Sequence, residues 1–435
     1  MSDDLKLSKI TARVVFDGGG NLVPEFEITW SDGTVGWSCF AGGITVGPIE
    51  KRKPGGDVIP PDGLGAMTEF SSWATDCIQN LEFNDQSAFD GLLERHNFSN
   101  WVGQSGCVAL SCAFAKGAAK RRGLPLYKVL GKARPWRFPF PNVTIIGGGA
   151  HAGGVFPIQE IMVVPIGAET FIEALNWCKE VFVATKMRLV REGYFVGTTI
   201  EGGIWPPYRS VEQSFELVCE AISDVGLNAG TDVVLSLDVA ANELRDANKY
   251  YLGDFVGHLQ SDSYFELLSR WISNYPIGFL EDPFAPQDGD LTRRLLARCV
   301  DSMRIIADDP VASEPDRIIE VGAHGEFNGI LVKPTHCGSL TAVQRAVQTA
   351  FDSNLMPALG GRSRETEEHC MIHIALAYGF PLLKIGGFSG VDRISHWNEG
   401  LRLVESLGHA ELVNVTALIG SGSKLDSHKV VVNAE

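Results

Sequence analysis

Between residue 138 and the C-terminus, two hydrophobic patterns alternate along the chain. Short runs dense in Val, Ile, Leu and Phe, closed by Pro or small residues, recur as FPNVTII, EIMVVPI, VVLSLDV, IGFLEDP, RIIADDP, GILVKPT, MPALGG and LLKIGG. Runs that short and that apolar predict strands buried on both faces, as in a parallel sheet. Longer stretches with helical periodicity separate several of them, including TFIEALNWCKEVFVATKMRLVREG, VEQSFELVCEAISDVG and SLTAVQRAVQTAFDSN. Strand and helix in alternation predict βα units, and eight such strands predict a closed α/β barrel over residues 138–435. An open doubly wound sheet would need a glycine-rich phosphate turn of GxGxxG type opening a helix. GGGAHAGG is the nearest candidate and does not match.

Residues 1–137 follow a different pattern and predict an α+β domain preceding the barrel. ITARVVFD and VPEFEITWSDGTVGWSCF alternate as strands of an antiparallel meander, with SDGT as a hairpin turn. GGGN lies before the second strand. AGGITVGPIEKRKPGGD follows the third, a loop long and glycine-rich enough to move. Helical patterns then run through FSSWATDCIQNLEF, QSAFDGLLERHN and GCVALSCAFAKGAAKRRG. The last is so rich in Ala and other small residues that close packing against a neighbour is expected.

Bulk properties narrow the functional classes. No apolar run among the 435 residues is long enough to span a bilayer. The N-terminal MSDDLKLSKI resembles neither a signal sequence nor a transit peptide, so a cytoplasmic location is expected. The nine cysteines are scattered without metal-ligand spacing and read as reduced, mostly buried thiols. A net charge of −16 argues against nucleic acid or an anionic membrane as a general partner. It leaves room for a small anionic substrate held by a local cationic cluster.

The candidate chemistry lies at the ends of the apolar runs. Asp238, Glu281 and Asp308 each close one. In a barrel these ends converge on the face where active sites are built. An acidic residue after a strand can also simply cap the next helix, but three carboxylates brought together repel unless a hard divalent cation, most plausibly Mg²⁺, lies between them.

With those carboxylates in place, the chain resembles the enolase superfamily, and specifically its enolase subgroup. The motifs that carry the resemblance are GGGAHAGG with IQEIMVVPIGA, IEGGIWPP, LEDPF, ADDPVASEPDRI, VKPTHCGSLT, GRSRETEE, LLKIGG and the tail HWNEGLRLVE, in that order. The resemblance implies an enolase-type modified (β/α)8 barrel with Asp238, Glu281 and Asp308 as Mg²⁺ ligands. It implies Lys333 as the base that removes a proton next to a carboxylate, with Lys384 as a second cation facing that carboxylate. It implies Glu201, with Glu160 beside it, as the acid that protonates a departing β-hydroxyl, and His151 as a mobile-loop site residue. Arg362 and Ser363 fall on the phosphate-binding turn. Burial, metal and the second cation are expected to lower the pKa of Lys333. His336, His369 and His373 lack ligand-like spacing and are expected to be structural or exposed. A homodimer or dimer-based assembly is implied by the resemblance alone.

Three departures from the family pattern matter. AGGITVG lacks the serine of the closing loop, and the acidic and Leu-Arg positions after it are gone. Gly361 stands where a histidine precedes the Arg-Ser pair, and Arg364 stands where a glycine follows it. The last two changes are expected to enlarge the phosphate pocket and add positive charge, with Arg364 as a third substrate-binding residue. The favoured reading is a specialised lyase on 2-phosphoglycerate or a phosphono analogue, such as carboxyphosphonoenolpyruvate synthase in phosphonate or phosphinate biosynthesis. The alternatives are an ordinary phosphopyruvate hydratase and a non-catalytic enolase-fold binding protein.

Overall fold

The computed structural model describes residues 6–44, 47–50, 64–79, 81–83, 85–131, 135–208, 210–253, 256–299, 303–415 and 418. Strands β1 (Leu7–Phe16), β2 (Leu22–Trp30) and β3 (Val35–Cys39) form the expected antiparallel meander. Its second hairpin closes at the SDGT turn, where Asp32 accepts from Thr34 N and Gly33 adopts φ +83°. A glycine takes that left-handed conformation without the backbone strain of an L side chain. The helix Ser99–Arg122 packs on this sheet at backbone distance. A Cβ on Gly36 would come within 2.1 Å of the Ala113 carbonyl, and one on Gly117 within 2.0 Å of the Trp30 ring. The small residues of that helix are therefore a packing requirement.

The eight apolar runs form one closed barrel. Strands β4 (Phe140–Gly147), β5 (Glu160–Val164) and β6 (Val234–Asp238) lead into it. A short excursion of β7 (Arg245–Asp246), β8 (Lys249–Tyr251) and β9 (His258–Gln260) makes a separate small sheet that the hydrophobic pattern does not announce. Strands β10 (Ile277–Glu281), β11 (Arg304–Ala307), β12 (Gly329–Val332), β13 (Met356–Gly360) and β14 (Leu382–Gly386) complete the barrel, with β14 pairing back onto β4. Both faces of nearly every barrel strand are buried, as the continuous apolar runs require.

One strand breaks the regular alternation. β5 runs antiparallel to both β4 and β6. A parallel return needs a crossover of a dozen or more residues, usually a helix. The link between β4 and β5 carries only the 3₁₀ turn Gly149–Ala152, so the chain turns straight back. Two helices, Phe171–Arg191 and Val211–Asp224, then precede β6. The reversal fixes where Glu160 lies. It opens β5 rather than closing it, and so shares a barrel end with Asp238 and Glu281.

A buried ion pair ties the N-terminal layer to the barrel. Glu368, on the segment after β13, takes Lys116 Nζ at 2.6 and 2.7 Å and also accepts from Ser38 Oγ. Its Oε1 accepts from the backbone N–H groups of His369 (2.9 Å) and Cys370 (3.1 Å), at the start of the helix Met371–Tyr378. Among the described residues, no helix is long and apolar enough to cross a membrane.

Candidate active site

Strand register brings the acids together. Glu160 is paired with Asp238 and Asp238 with Glu281, so three carboxylates stand side by side on adjacent strands. Asp308 follows β11 and Lys333 follows β12. The long stem of Lys384, in β14, crosses the barrel mouth to reach them. Its Nζ lies 2.6 Å from Asp238, 2.7 Å from Glu281 and 2.9 Å from Glu160. Lys333 Nζ donates to Asp308.

The backbone at Asp308 is braced from below. Asp282, held at φ +43°, accepts from the N–H groups of Asp308 (3.0 Å) and Asp309 (2.8 Å). Oxygens of Asp282, Asp308 and Asp309 gather within 4.8 Å of one another, a cluster that could itself hold a cation. A non-glycine residue in the left-handed region costs conformational energy and persists only where its surroundings compel it.

The charges in this cluster are mutually dependent. Burial alone would push Lys384 down, but Asp238, Glu160 and Glu281 outweigh it and hold the ammonium well above its ordinary value. Lys333 departs from expectation. Burial does act to lower it, and Arg362 and Lys384 act the same way, yet contact with Asp308 leaves it raised. Burial, then the Asp238 charge, pushes Glu281 well above the usual carboxylate range. Even with two ammonium groups present, Glu281 stays above that range.

The second half of the site comes from loops. His151 sits on the 3₁₀ turn after β4, almost fully buried, with Nδ1 3.1 Å from Glu201 Oε2. Glu201 is carried on a segment stitched to the end of β14: Gly387 N donates to its carbonyl (2.7 Å), and Gly202 at φ +78° lies so close that a Cβ would meet the Ser389 carbonyl at 2.2 Å. Glu160 accepts from Thr144 Oγ1 at 2.6 Å. Burial, then the neighbouring Glu201 charge, pushes Glu160 above the usual carboxylate range, whereas His151 holds Glu201 below it against its own burial. The two shifts run in opposite directions, the arrangement in which an acid pair keeps one proton between its two carboxyls.

The turn after β13 supplies the cationic rim. Arg362 NH1 meets His336 Nε2, and Arg362 NH2 lies 2.9 and 3.2 Å from the two oxygens of Glu50. Ser363 Oγ accepts from Ile44 N at 2.7 Å. Arg393, fully buried, clamps this turn from behind by donating to the carbonyls of Arg362 (2.8 Å) and Ser363 (2.6 Å).

Ten of the eleven residues singled out from the sequence converge here. The exception is Arg364, whose side chain lies against the β1–β2 turn; a Cβ on Gly19 would be 3.2 Å from its Cδ and Nε. Nor does Gly361 open space, because the Glu365 carboxylate lies 2.8 Å from where its Cβ would be. His336 is buried against Arg362, so its contact with the site was missed in the sequence. So were Glu50, Arg393 and Gln159, whose Nε2 donates to Asp238 at 3.1 Å. Nothing in a helical pattern marks Arg393 as inward-facing. Gln159 had one available sign, its position immediately before Glu160. Of the glycine-rich loop, Gly43, Ile44 and Glu50 reach the site; residues 45–46, Lys51 to Lys53 and those up to 63 fall outside the described residues.

The donor set suits a hard cation. Asp308 Oδ1 and Gln159 Oε1 are buried without a hydrogen-bond partner among the described residues, in the cluster that holds Asp238 and Glu281.

Residues 135–417 match the family profile described as "Enolase, C-terminal TIM barrel domain". Over 416 residues the chain is 33% identical to a protein named Enolase from Anaplasma marginale (strain St. Maries), covering 94% of this chain and 96% of that one. Over 415 residues it is 31% identical to Enolase 1 from Desulfitobacterium hafniense (strain Y51), covering 93% and 95%.

Proposed function

The chain belongs to the enolase family, and on that premise we propose that this lyase is a Mg²⁺-dependent phosphopyruvate hydratase, converting 2-phosphoglycerate to phosphoenolpyruvate and water. The observation that carries the reading is the paired arrangement of Lys384 on Asp238, Glu281 and Glu160, and of Lys333 on Asp308, next to the Arg362–Ser363 turn. Asp238, Glu281 and Asp308 are the residues that would hold the ion. When bound, it supplies fixed positive charge for the substrate carboxylate as that group gathers negative charge.

The protein's own groups account for the rest of the reaction. Lys333, as the free amine, takes the proton from the carbon bearing the phosphate ester. Arg362 and Lys384 both favour that uncharged form, and Asp308 opposes it. Electrons from the broken C–H bond form the new double bond as the β-hydroxyl leaves. The proton kept between Glu160 and Glu201 goes to that hydroxyl, which departs as water. Arg362 and Ser363 hold the phosphoryl group, and Arg393 keeps their backbone in place. His151, buried against Glu201, sets the ionisation of the acid pair. A homodimer is the assembly expected on the same premise.

The specialised reading, carboxyphosphonoenolpyruvate synthesis, rested on a roomier and more cationic phosphate pocket. With Arg364 against Gly19 and the Glu365 carboxylate beside Gly361, that argument has no support from the described residues. The decisive assay is ultraviolet detection of phosphoenolpyruvate formed from 2-phosphoglycerate with Mg²⁺, alongside Lys333→Ala. Rapid turnover that disappears in the variant supports the hydratase. A folded, Mg²⁺-binding wild type with no turnover would overturn it, and activated phosphonoformate would be the next substrate to add.

A further inference from the structure

The loop after β3 fastens itself to the two residues that the functional reading assigns to the phosphoryl group. Ile44 N donates to Ser363 Oγ at 2.7 Å, and Glu50 reaches Arg362 NH2 at 2.9 Å. Gly43 lies against the same guanidinium so closely that a Cβ would sit 2.5 Å from NH2. The Glu50–Arg362 pair is buried, with side-chain exposures of 7% and 5%. Glu50 Oε2 also lies 3.6 Å from His336 Nε2, the nitrogen that meets Arg362 NH1. The free space left among the cavity-lining residues is about 30 Å³. That is room for a water molecule or so, not for a phosphorylated three-carbon acid.

We propose that Glu50 is the resident anion of the Arg362–His336 subsite, a specificity-determining carboxylate that an incoming phosphoryl group must displace. A carboxylate and a phosphoryl group seek the same planar donors of a guanidinium, and the buried side of Arg362 cannot face both at this distance. Glu50 and the Ile44–Ser363 contact thus stand where a phosphoryl group would meet Arg362 and Ser363. Weakly charged anions, which compete poorly with a carboxylate for a guanidinium, are turned away. This inference rests on the reading of Arg362 and Ser363 as the phosphoryl subsite, and the test separates the two.

Inorganic phosphate is titrated by isothermal calorimetry into the full-length wild type, Glu50→Gln, Glu50→Asp and Arg362→Ala. Glu50→Gln keeps size and removes charge, so it should bind phosphate about tenfold more tightly than wild type, the equivalent of about 1.4 kcal/mol. Glu50→Asp keeps the charge on a shorter stem and should fall between them, which guards against a Gln variant that fails to fold. Arg362→Ala should lose the binding. Equal affinity in wild type and both Glu50 variants, with loss in Arg362→Ala, would overturn the displacement while leaving the subsite standing. Weaker binding in Glu50→Gln would also overturn it, because Glu50 would then be positioning Arg362 for phosphate. If neither phosphate nor 2-phosphoglycerate binds wild type or Glu50→Gln, the subsite reading fails and the displacement with it.

Discussion

Replacing Glu368 by Gln tests the ion pair that joins the N-terminal layer to the barrel. The carboxylate is fully buried and takes both contacts of Lys116, the Ser38 hydroxyl and two backbone N–H groups. Burial pushes this group up, but Lys116 and Ser38 outweigh it and hold it down at about 2, against an ordinary 4.5. At about 1.4 kcal/mol per pH unit, that difference corresponds to roughly 3 kcal/mol of folding stability at neutral pH. An independent route gives a similar figure, since removing one partner of a buried pair costs about 3–5 kcal/mol. The sign follows from the depressed value. The contribution is complete above pH 4.5 and is lost as the pH falls through that point towards 2. Urea unfolding of wild type and Glu368→Gln, followed by tryptophan fluorescence from neutral pH downwards, measures the gap directly. A loss of about 3 kcal/mol at neutral pH, narrowing on acidification, is expected. A neutral-pH loss under about 1 kcal/mol, or a gap that stays constant as the solution is acidified, would refute the reasoning.

Further predictions concern the site. His151→Ala should lower turnover of 2-phosphoglycerate by about 100-fold, the scale of a lost acid–base partner, while calorimetric Mg²⁺ binding stays at the wild-type value. Unchanged turnover would remove His151 from the chemistry. Mg²⁺ should raise the melting temperature of wild type and leave that of Asp238→Ala unmoved, and equal responses in the two proteins would place the ion elsewhere. Arg364→Ala should leave KM for 2-phosphoglycerate within about twofold of wild type, because a residue touching a substrate phosphate is worth more than that when truncated. A tenfold rise would return Arg364 to the pocket.

The eight barrel strands were readable because burial on both faces leaves an unbroken apolar run, a signal that survives without knowledge of the partners. The three acids at the ends of the β6, β10 and β11 runs were readable for a related reason: a charge at the end of such a run has no apolar explanation. The lysines after ILV and LL carried the same kind of sign. The direction of β5 was harder, because it depends on what a 3₁₀ turn in place of a crossover helix does to the chain, and apolar periodicity is blind to strand direction.

What the sequence determined by itself was therefore the set of elements and the inventory of chemical groups, both properties of local composition. Which groups meet was decided by tertiary structure. Glu50 and Arg362 are 312 positions apart, and Lys116 and Glu368 are 252. No local pattern encodes such pairings. The same holds for Arg364, whose charge suggested a substrate contact until the β1–β2 turn took its side chain. The raised pKa values of Glu160 and Lys333 likewise follow from burial and from which carboxylate ends up nearest, and both are decided by the tertiary structure.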